Sequence, residues 1–502
     1  MTDAPSPAAE RPQARTPRGF ADRRAAELKR QRAILQAVSG VYEAYGFEPL
    51  ETSAFEYADA LGKFLPDADR PNEGVFALRD DDGDDTGEWM ALRYDLTAPL
   101  ARFAAQHWDA LPKPYRRYAF GTVWRNEKPG PGRYREFVQC DADTVGSARP
   151  EADAEIIAMA VAGLEAAGVP RGQAVLKINN RKLLNGLLAT AGVTSPGQTL
   201  AVLRAVDKLD RLGADGVRLL LGEGRKDESG EFTKGAGLNA RGAEAVIAFT
   251  GASKESRSAT LDALSGVIGG SPEGDAGLTE LSAIGAALKG LGVDEAQAVF
   301  DPSVVRGLEY YTGPVFEAEL LIPTVDEKGN AVRFGSVGGG GRYDDLVARF
   351  TGQTTPATGF SGGVSRLAAA LEAAGRAGAS ARGPVVVIAF DREHMADYFA
   401  VAAELRNGGV AAEVYLGESG MKAQMKYADR RMSPAVVMLG GDELAAGTAT
   451  VKDLDAGREL AKGLSDNAAW KAERPGQATV PRADLVAHVR RIVDGSQAGQ
   501  GS

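Results

Sequence analysis

Five short segments of the chain hold most of the side chains that could take part in chemistry. The first, residues 125–137, places three arginines and a lysine around a Pro-Gly-Pro-Gly turn. If it forms a hairpin, Arg125 and Arg135 face one cleft from two paired strands, and guanidinium groups bind phosphate oxygens through two parallel hydrogen bonds. A charged surface hairpin would explain any two of these residues. So many charges beside Trp124 and Phe137 favour a phosphate-binding site instead.

Two segments combine polar side chains with extended backbone. Residues 93–97 read Arg-Tyr-Asp-Leu-Thr and place a carboxylate and a hydroxyl two residues apart on one face. These groups could hold an ammonium group or cap the next helix. Residues 305–313 join Arg306 to two adjacent tyrosines, whose hydroxyls can donate or accept hydrogen bonds in a binding site but are also common in a core.

Two further segments are rich in glycine. Residues 335–344 contain four consecutive glycines, which either form a turn or let a flat ligand approach the backbone. Their spacing matches neither a dinucleotide fingerprint nor a Walker loop. Residues 359–367 predict a strand that leads into a helix with Arg366 in its first turn. That guanidinium could stack on a purine base or lie on the helix surface.

The residue inventory excludes several kinds of catalysis and several classes of protein. The chain has 502 residues, one cysteine and three histidines, so an intrachain disulfide is impossible, and no histidine lies in the five segments. We therefore expect chemistry by arginine and carboxylate groups, with the metal ligands unknown. The net charge of −10 excludes a polycation but not a local basic face for nucleic acid. No apolar run approaches 18 residues and the first 20 residues contain no secretory signal, which predicts a cytoplasmic protein without membrane contact.

Hydrophobic periodicity predicts the elements that position these segments. An amphipathic helix is predicted at 22–45 and another helix at 151–167. Strand-like stretches that suggest an antiparallel sheet lining a cleft are 47–55, 89–93, 118–124 and 137–145. A mostly helical stretch covers 183–295. From 385 to 439 strands and helices alternate, which predicts a small α/β domain.

Together and in this order, the five segments resemble the class II aminoacyl-tRNA synthetases and, among them, the histidyl-tRNA synthetase family. The segments that resemble the three class II motifs are 45–55, 124–137 and 359–367. Residues 93–97 are similar to the amino-acid-binding stretch, and residues 306–311 and 338–343 to the two signatures of the histidine-specific family. The region after residue 383 is similar to the anticodon-binding domain of this subclass.

The resemblance implies a role for each candidate residue. The residues implied for ATP are Arg125 at the α-phosphate, Glu127 at the adenine amino group, Arg133 at the outer phosphates and Arg366 stacked on adenine. The residues implied for histidine are Asp95, Leu96, Thr97, Gln139, Asp143, Tyr310 and Tyr311; Asp95, Thr97 and Gln139 would hold its ammonium group, and Asp143 and Tyr311 would read its imidazole. Arg306 would act with Arg125 on the reacting carboxylate and α-phosphate. The glycines implied as a pocket floor are Gly338, Gly339 and Gly340, and the residues expected to contact tRNA are Lys128, Lys422, Lys426 and Arg430.

The same resemblance implies the domain organisation and the partners. We expect an α/β (α+β) fold, with an antiparallel-sheet catalytic domain, a helical insert and a C-terminal α/β anticodon-binding domain. The expected divisions are a disordered tail at 1–18, catalytic core at 19–182 and 296–375, a helical insertion at 183–295, a linker at 376–383, the anticodon-binding domain at 384–495 and a disordered tail at 496–502. The expected ligands are ATP with Mg2+, L-histidine and tRNA(His), and motif 1 implies a homodimer.

The chain departs from the family pattern at two places. Ser365 stands where motif 3 usually has glutamate, and Gly130-Pro131 stand in the motif 2 loop where many bacterial members have glutamine and a basic or small residue. The first departure leaves the orientation of Arg366 and any nearby metal ligand open. The second leaves open how the tRNA acceptor end is recognised.

Two other readings compete with a histidine-specific enzyme. One is a non-catalytic, synthetase-like regulatory subunit of histidine biosynthesis, but such paralogues lack the anticodon domain and tend to lose the arginine that corresponds to Arg306. The other is a sister synthetase for threonine, proline or glycine, which would carry different signatures between motifs 2 and 3. Retention of Arg306–Tyr311 and of residues 383–495 favours the histidine-specific enzyme.

Overall fold

The computed structural model is a mixed α/β chain that divides into two compact units. Unit 1 is Met1–Ala377 and unit 2 is Gly378–Ser502. The described residues are 12–61, 74–79, 87–129, 134–193, 195–226, 230–268, 270–305, 311–325, 331–332, 334–376, 382–463 and 476–498. Much of the expected N-terminal tail and five of the eight linker residues therefore lie outside them.

Unit 1 contains both helices and strands along its whole length. Its helices are α1 Ala26–Ala44, α2 Ala58–Leu61, α3 Thr97–His107, α4 Pro150–Ala166, α5 Arg181–Thr190, α6 Pro196–Val206, α7 Leu209–Leu221, α8 Ala240–Thr250, α9 Arg257–Ile268, α10 Pro272–Gly290, α11 Ala348–Thr351 and α12 Val364–Ala373. Its strands are β1 Glu48–Pro49, β2 Phe55–Tyr57, β3 Ala77–Arg79, β4 Trp89–Leu92, β5 Tyr115–Trp124, β6 Glu136–Val145, β7 Ala174–Asn180, β8 Gly224–Lys226, β9 Phe232–Lys234, β10 Ala298–Phe300, β11 Pro314–Leu320, β12 Thr324–Val325, β13 Ala331–Val332, β14 Gly335–Arg342 and β15 Ala357–Gly363.

An eight-stranded sheet forms the centre of unit 1, in the order β1-β5-β6-β15-β14-β11-β7-β10. The pairings from β5 to β7 are antiparallel, whereas β1 and β10 join the two ends of the sheet in parallel. The main apolar core lies on one face, where α1, α4 and α12 pack against strands β6 and β15. The other face carries the polar side chains described below. The expected antiparallel sheet is confirmed for 118–124 and 137–145, whereas the expected strand at 89–93 is β4 of a separate three-stranded sheet in the order β2-β4-β3.

The structure differs from the expected elements mainly at their ends. Helix α1 begins at Ala26 rather than at residue 22, because Ala25 has a φ of 48°, outside the helical region. The expected strand at 47–55 is reduced to β1 and β2. Pro49 lacks an N–H donor, which suits it to the two-residue edge strand β1. Between residues 183 and 295 the described residues form α5 to α10 together with the short hairpin β8–β9.

Unit 2 is built around its own sheet. Its strands are β16 Val385–Ile388, β17 Ala412–Val414, β18 Ala435–Met438, β19 Thr448–Asp453 and β20 Gln477–Pro481. Its helices are α13 Met395–Asn407, α14 Met421–Arg430, α15 Gly441–Ala446, α16 Leu454–Gly463 and α17 Leu485–Ala498. The order is β17-β16-β18-β19-β20, parallel in the first three strands and antiparallel beyond them. Helix α17 continues to Ala498, so part of the expected C-terminal tail is helical.

Candidate active site

Alternation along β6 divides its side chains between the two faces of the sheet. Cys140 and Ala142 point into the apolar core. Gln139, Asp141 and Asp143 point to the opposite face, and all three are buried. Burying three polar side chains in one row is costly unless each has a partner or a ligand. This face is therefore the candidate site.

Asp143 is held by two neighbours on this face. Its Oδ2 atom lies 2.8 Å from Nη2 of Arg117, which faces it from β5 and has no exposed surface. Its Oδ1 atom accepts a hydrogen bond from the hydroxyl of Tyr343. Arg117 also donates to the carbonyl oxygen of Leu96 at 2.9 Å. Burial raises the pKa of the Asp143 carboxyl group, and both Arg117 and Tyr343 act in the opposite direction.

Asp141 has a different environment from Asp143. It is 1% exposed, yet neither carboxyl oxygen makes a hydrogen bond of good geometry within the described part of the chain. Ser361 faces it directly from β15. Oγ of Ser361 and Oε1 of Gln139 are likewise buried without a hydrogen-bond partner there. Burial and the charge of Asp143 raise the pKa of Asp141 to about 8, although the charge of Arg117 and the Ser361 hydroxyl act in the opposite direction.

The Arg-Tyr-Asp-Leu-Thr segment borders this row at the start of α3. Oδ1 of Asp95 accepts hydrogen bonds from the backbone N–H groups of Thr97 and Ala98, at 3.0 and 2.8 Å. The capping role that the sequence left open is therefore present. Asp95 lies close enough to raise the pKa of both Asp141 and Asp143. Leu96 is buried, and the described contact with this row is made by its carbonyl oxygen.

Arg125 is positioned by two aromatic rings at the other end of the strand pair. The centre of its guanidinium lies 4.4 Å from the ring centroid of Tyr94 and 5.1 Å from that of Phe137. The Tyr94 hydroxyl donates to Oε1 of Glu127 at 3.1 Å. Arg135 donates through Nε to the carbonyl oxygen of Glu127 at 2.9 Å. The structure thus brings Arg125 and Glu127 together around Tyr94, a ring to which the sequence analysis gave no role.

The two residues of motif 3 that the sequence singled out have separate contacts. The Ser365 hydroxyl accepts a hydrogen bond from the backbone N–H of Val138 at 3.1 Å, so the replacement of glutamate by serine ties the start of α12 to β6. Nη2 of Arg366 donates to the carbonyl oxygen of Phe334 at 2.6 Å, and its side chain is exposed. Ser365, the residue before Arg366, is therefore anchored next to Phe137. Phe137 is also one of the two rings on which Arg125 stacks.

The glycines expected to form a pocket floor lie on both faces of β14. Gly339 pairs with Ser361 and so shares the face of Asp141. Gly338 and Gly340 face the core, where a Cβ atom would lie 2.4 Å or less from Phe360 or the backbone of β15. Packing against β15 therefore explains these two glycines. The side chain of Tyr311 packs against Gly341 of β14, since a Cβ atom added at Gly341 would lie 2.8 Å from Cδ1 of Tyr311.

Three of the expected site residues, Arg133, Arg306 and Tyr310, lie outside the described residues. Four residues at the site have no role in the expectations drawn from the sequence: Tyr94, Arg117, Asp141 and Tyr343. The period-two spacing of Gln139, Asp141 and Asp143 was a signal for Asp141. In the described ranges, no three side chains of His, Cys, Asp or Glu are grouped to hold a metal ion, and no helix is long and apolar enough to cross a membrane.

Unit 2 carries a separate charged surface on α14. Lys422, Lys426 and Arg430 are spaced four residues apart and are exposed on one side of the helix. Arg431 instead makes two hydrogen bonds of 2.9 Å with the carboxylate of Glu413. Exposed apolar side chains of unit 2 that the sequence analysis did not single out are Phe390, Phe399, Leu416, Met421 and Met432.

Comparisons with known proteins agree with this geometry. Residues 19–367 match the family model for histidyl-tRNA synthetase, and residues 384–472 match the model for the anticodon binding domain. The histidine--tRNA ligase of Caulobacter vibrioides is 73% identical over 98% of this chain and 100% of that protein, and that of Cereibacter sphaeroides is 57% identical over 97% and 99%. The crystal structure of histidyl-tRNA synthetase from a Nostoc species has a TM-score of 0.72 and 29% identity over 96% of this chain and all of that one.

An antiparallel sheet with a buried polar face and arginine-bearing motifs, together with an anticodon-binding domain, defines a class II aminoacyl-tRNA synthetase. The family match covers well over half of the chain, and the curated relatives are similar along nearly all of it. The chain belongs to the histidyl-tRNA synthetase family. Enzymes of this family attach histidine to tRNA(His) at the expense of ATP.

Proposed function

We propose that the face formed by Gln139, Asp141 and Asp143 binds L-histidine, and that the chain joins it to ATP there before transfer to tRNA(His). The observation that carries this proposal is the row of buried polar atoms that find no hydrogen-bond partner among the described residues, and this row ends near the guanidinium of Arg125, which two rings hold in place. Buried groups of this kind are the usual mark of a ligand site. The histidine carboxylate attacks the α-phosphate of ATP, the bond between the α- and β-phosphates breaks and pyrophosphate leaves, so that the intermediate is histidyl-adenylate.

Arg125 acts on the α-phosphate and Arg306 on the reacting carboxylate. Adenylate formation brings two anions together, and the attacking carboxylate is already ionised, so no general base is needed. The barrier is charge repulsion, which fixed guanidinium groups lower because they stabilise the charge that develops in the transition state. The two rings that clamp Arg125 support this assignment, because they restrict its side chain before ATP arrives.

The remaining ATP contacts divide between the base and the outer phosphates. Glu127 takes the adenine amino group, Arg366 stacks on the base and Arg133 contacts the outer phosphates. The contact between Glu127 and Tyr94 supports this assignment, because it holds the carboxylate beside Arg125. Mg2+ enters with ATP, since a magnesium ion in such sites takes most of its ligands from phosphates and water.

On the histidine side, Asp95, Thr97 and Gln139 hold the ammonium group, and Leu96 lines the pocket with Tyr310. Asp143 and Tyr311 read the imidazole. A neutral imidazole has one donor and one acceptor nitrogen, and an ionised carboxylate can accept several hydrogen bonds. Asp143 can therefore bind the imidazole N–H while it keeps Tyr343 and Arg117. Analogues that lack such paired groups are rejected strongly.

For tRNA, Lys128 in the motif 2 loop meets the acceptor end, and the basic side of α14 meets the anticodon region. The exposure of Lys128, Lys422, Lys426 and Arg430 supports both contacts. The catalytic core is 19–182 with 296–375, the insertion is 183–295 and the anticodon-binding domain is 384–495. We place the enzyme in the cytoplasm, where its tRNA substrate is used.

The functional unit is a homodimer formed through motif 1 and the strands that follow it. Phe55 and Tyr57 on β2 share one face with Leu78 on β3, through pairing with β4. These side chains are 41–50% exposed. An exposed apolar face of this kind is typical of a protein–protein contact.

The decisive experiment measures amino-acid-dependent ATP–pyrophosphate exchange with all twenty amino acids on the full chain. We expect exchange with histidine alone, and a fall of about 100-fold or more in Arg125→Ala and in Arg306→Ala. The surface variant Asp109→Asn, which removes one charge at an exposed residue with no assigned role, should match the unaltered chain. Full activity of a folded Arg306→Ala or Arg125→Ala variant would refute the assigned role.

A further inference from the structure

The strand that carries the proposed histidine pocket contains one carboxyl group that neither the family resemblance nor the mechanism above uses. Asp141 lies between Gln139 and Asp143 on the same face of β6. It is 1% exposed, and neither of its oxygens makes a hydrogen bond of good geometry with a described residue, although the Ser361 hydroxyl opposite it lies close enough to lower its pKa. A buried carboxyl group without a partner is costly, and such groups are usually explained by function.

The charges around the two aspartates separate their roles. Asp143 has two described partners, because it forms an ion pair with the Arg117 guanidinium and accepts a hydrogen bond from the Tyr343 hydroxyl. The carboxylate of Asp95 is partly compensated by the two N–H groups at the start of α3. Within the described residues no cation forms an ion pair with Asp141. Arg117, whose charge acts on it, is paired with Asp143, and Arg93 gives its described hydrogen bonds to backbone carbonyls.

L-Histidine at neutral pH carries one permanent cation, its α-ammonium group, and an imidazole that is mostly neutral. The group that can compensate a buried carboxylate is the ammonium. We propose that the carboxylate of Asp141 is the counter-charge for the α-ammonium group of bound L-histidine. This inference rests on the assignment of the β6 face as the histidine pocket. It adds a residue that makes tight binding depend on the α-amino group of the ligand.

Proton exchange on binding follows from the same arrangement. Burial and the charge of Asp143 raise the pKa of Asp141 to about 8, so the empty pocket holds the proton at pH 7. Among the described residues, the ionisable groups that face Asp141 on the sheet are Asp143 and Arg117, and those that reach it from the segment before α3 are Asp95 and Arg93. Cys140 and Tyr42, which lie behind the strand, remain protonated because their pKa values are raised. Histidine binding at pH 7 should therefore release close to one proton.

The test is calorimetric titration of the full chain with L-histidine at pH 7, in two buffers with different ionisation enthalpies. We expect release of close to one proton per histidine for the unaltered chain. In Asp141→Asn the release should disappear and the affinity for histidine should fall about 10- to 100-fold, the usual cost of losing a hydrogen bond to a charged group. The des-amino analogue 3-(imidazol-4-yl)propionate should bind both proteins within about twofold, because it lacks the ammonium group.

The possible results distinguish a failure of this inference about Asp141 from a failure of the proposed function. In exchange assays, Asp141→Asn should raise the KM for histidine and leave the KM for ATP unchanged, and Asp109→Asn should resemble the unaltered chain. Equal weakening of histidine and of the des-amino analogue would overturn the proposal, as would wild-type affinity of Asp141→Asn. If that variant does not fold, equal affinity of the unaltered chain for histidine and for the des-amino analogue would overturn it instead. Failure of the unaltered chain to activate histidine would refute the proposed function itself.

Discussion

A single buried carboxyl group should make the stability of the ligand-free protein depend on pH. The pKa of Asp141 is about 4 in an unfolded chain and is raised to about 8 in the folded one. Between these values the folded state holds a proton that the unfolded state has lost. The contribution of Asp141 to the free energy of unfolding is therefore fully present below about pH 4. It is lost as the pH rises toward 8, by at most about 1.4 kcal/mol per pH unit.

Asparagine at position 141 cannot titrate, so the difference between Asp141→Asn and the unaltered chain isolates this effect. We expect the free energy of unfolding of the variant, relative to the unaltered chain, to increase steadily from pH 5 to pH 8. Urea unfolding of both proteins without histidine at each pH measures it. The surface change Asp109→Asn should add no such slope. A difference that stays constant with pH would contradict the raised pKa.

The contacts of individual residues also explain why the sequence predicts only part of the site. Asp143 and Gln139 could be assigned from the family motifs. Arg117 could not, because its role depends on the register that sets it opposite Asp143, and the spacing of residues within one strand does not reveal the pairing between two strands. Asp141 was passed over although it has the same two-residue spacing as the assigned residues.

At the scale of whole elements, strand and helix types were predictable where hydrophobic periodicity was strong. The strand pair 118–124 and 137–145 is present as β5 and β6, and the helix at 151–167 is present as α4. The additional residues 115–117 of β5 were missed because two adjacent arginines do not resemble a strand interior. One of them, Arg117, can be buried because it forms an ion pair with Asp143, and the local sequence pattern does not reveal that pair.

Helix α14 is the element on which the tRNA contact can be tested separately from the chemistry. Lys422, Lys426 and Arg430 form one exposed side of it, so their simultaneous change to alanine removes three charges without opening the core. We expect weaker tRNA binding, and a plot of log affinity against log salt concentration that becomes shallower by about one unit per lost phosphate contact. Filter binding across a salt series measures both quantities. Histidine-dependent ATP–pyrophosphate exchange should be unchanged.

A matched control for this triple variant changes three exposed basic residues of unit 1 near α1, Arg24, Lys29 and Arg32, to alanine. It removes the same charge from a chain whose net charge is −10. If both triple variants lose the same affinity and salt dependence, binding responds to overall charge and the assignment of α14 fails. A loss confined to the α14 variant supports a local contact.

At the scale of the whole molecule, the two units have separate apolar cores. The core clusters of unit 1 are formed by residues 34–371, and those of unit 2 by residues 385–489. The residues assigned to ATP and histidine all belong to unit 1, and the basic side of α14 belongs to unit 2. The two half-reactions should therefore respond differently to loss of one unit.

Removal of residues 378–502 should separate the two activities. We expect a chain of residues 1–377 to keep histidine-dependent ATP–pyrophosphate exchange within about an order of magnitude, because the groups that stabilise the adenylate transition state remain. Charging of tRNA(His) should fall by about 100-fold or more, because the phosphate contacts of unit 2 are lost and these supply much of the affinity for nucleic acid. Thermal unfolding and histidine binding of the shortened chain establish that it is folded. If a folded, histidine-binding chain loses both activities to the same extent, unit 2 contributes to adenylate formation, and the assignment of an independent anticodon-binding unit is wrong.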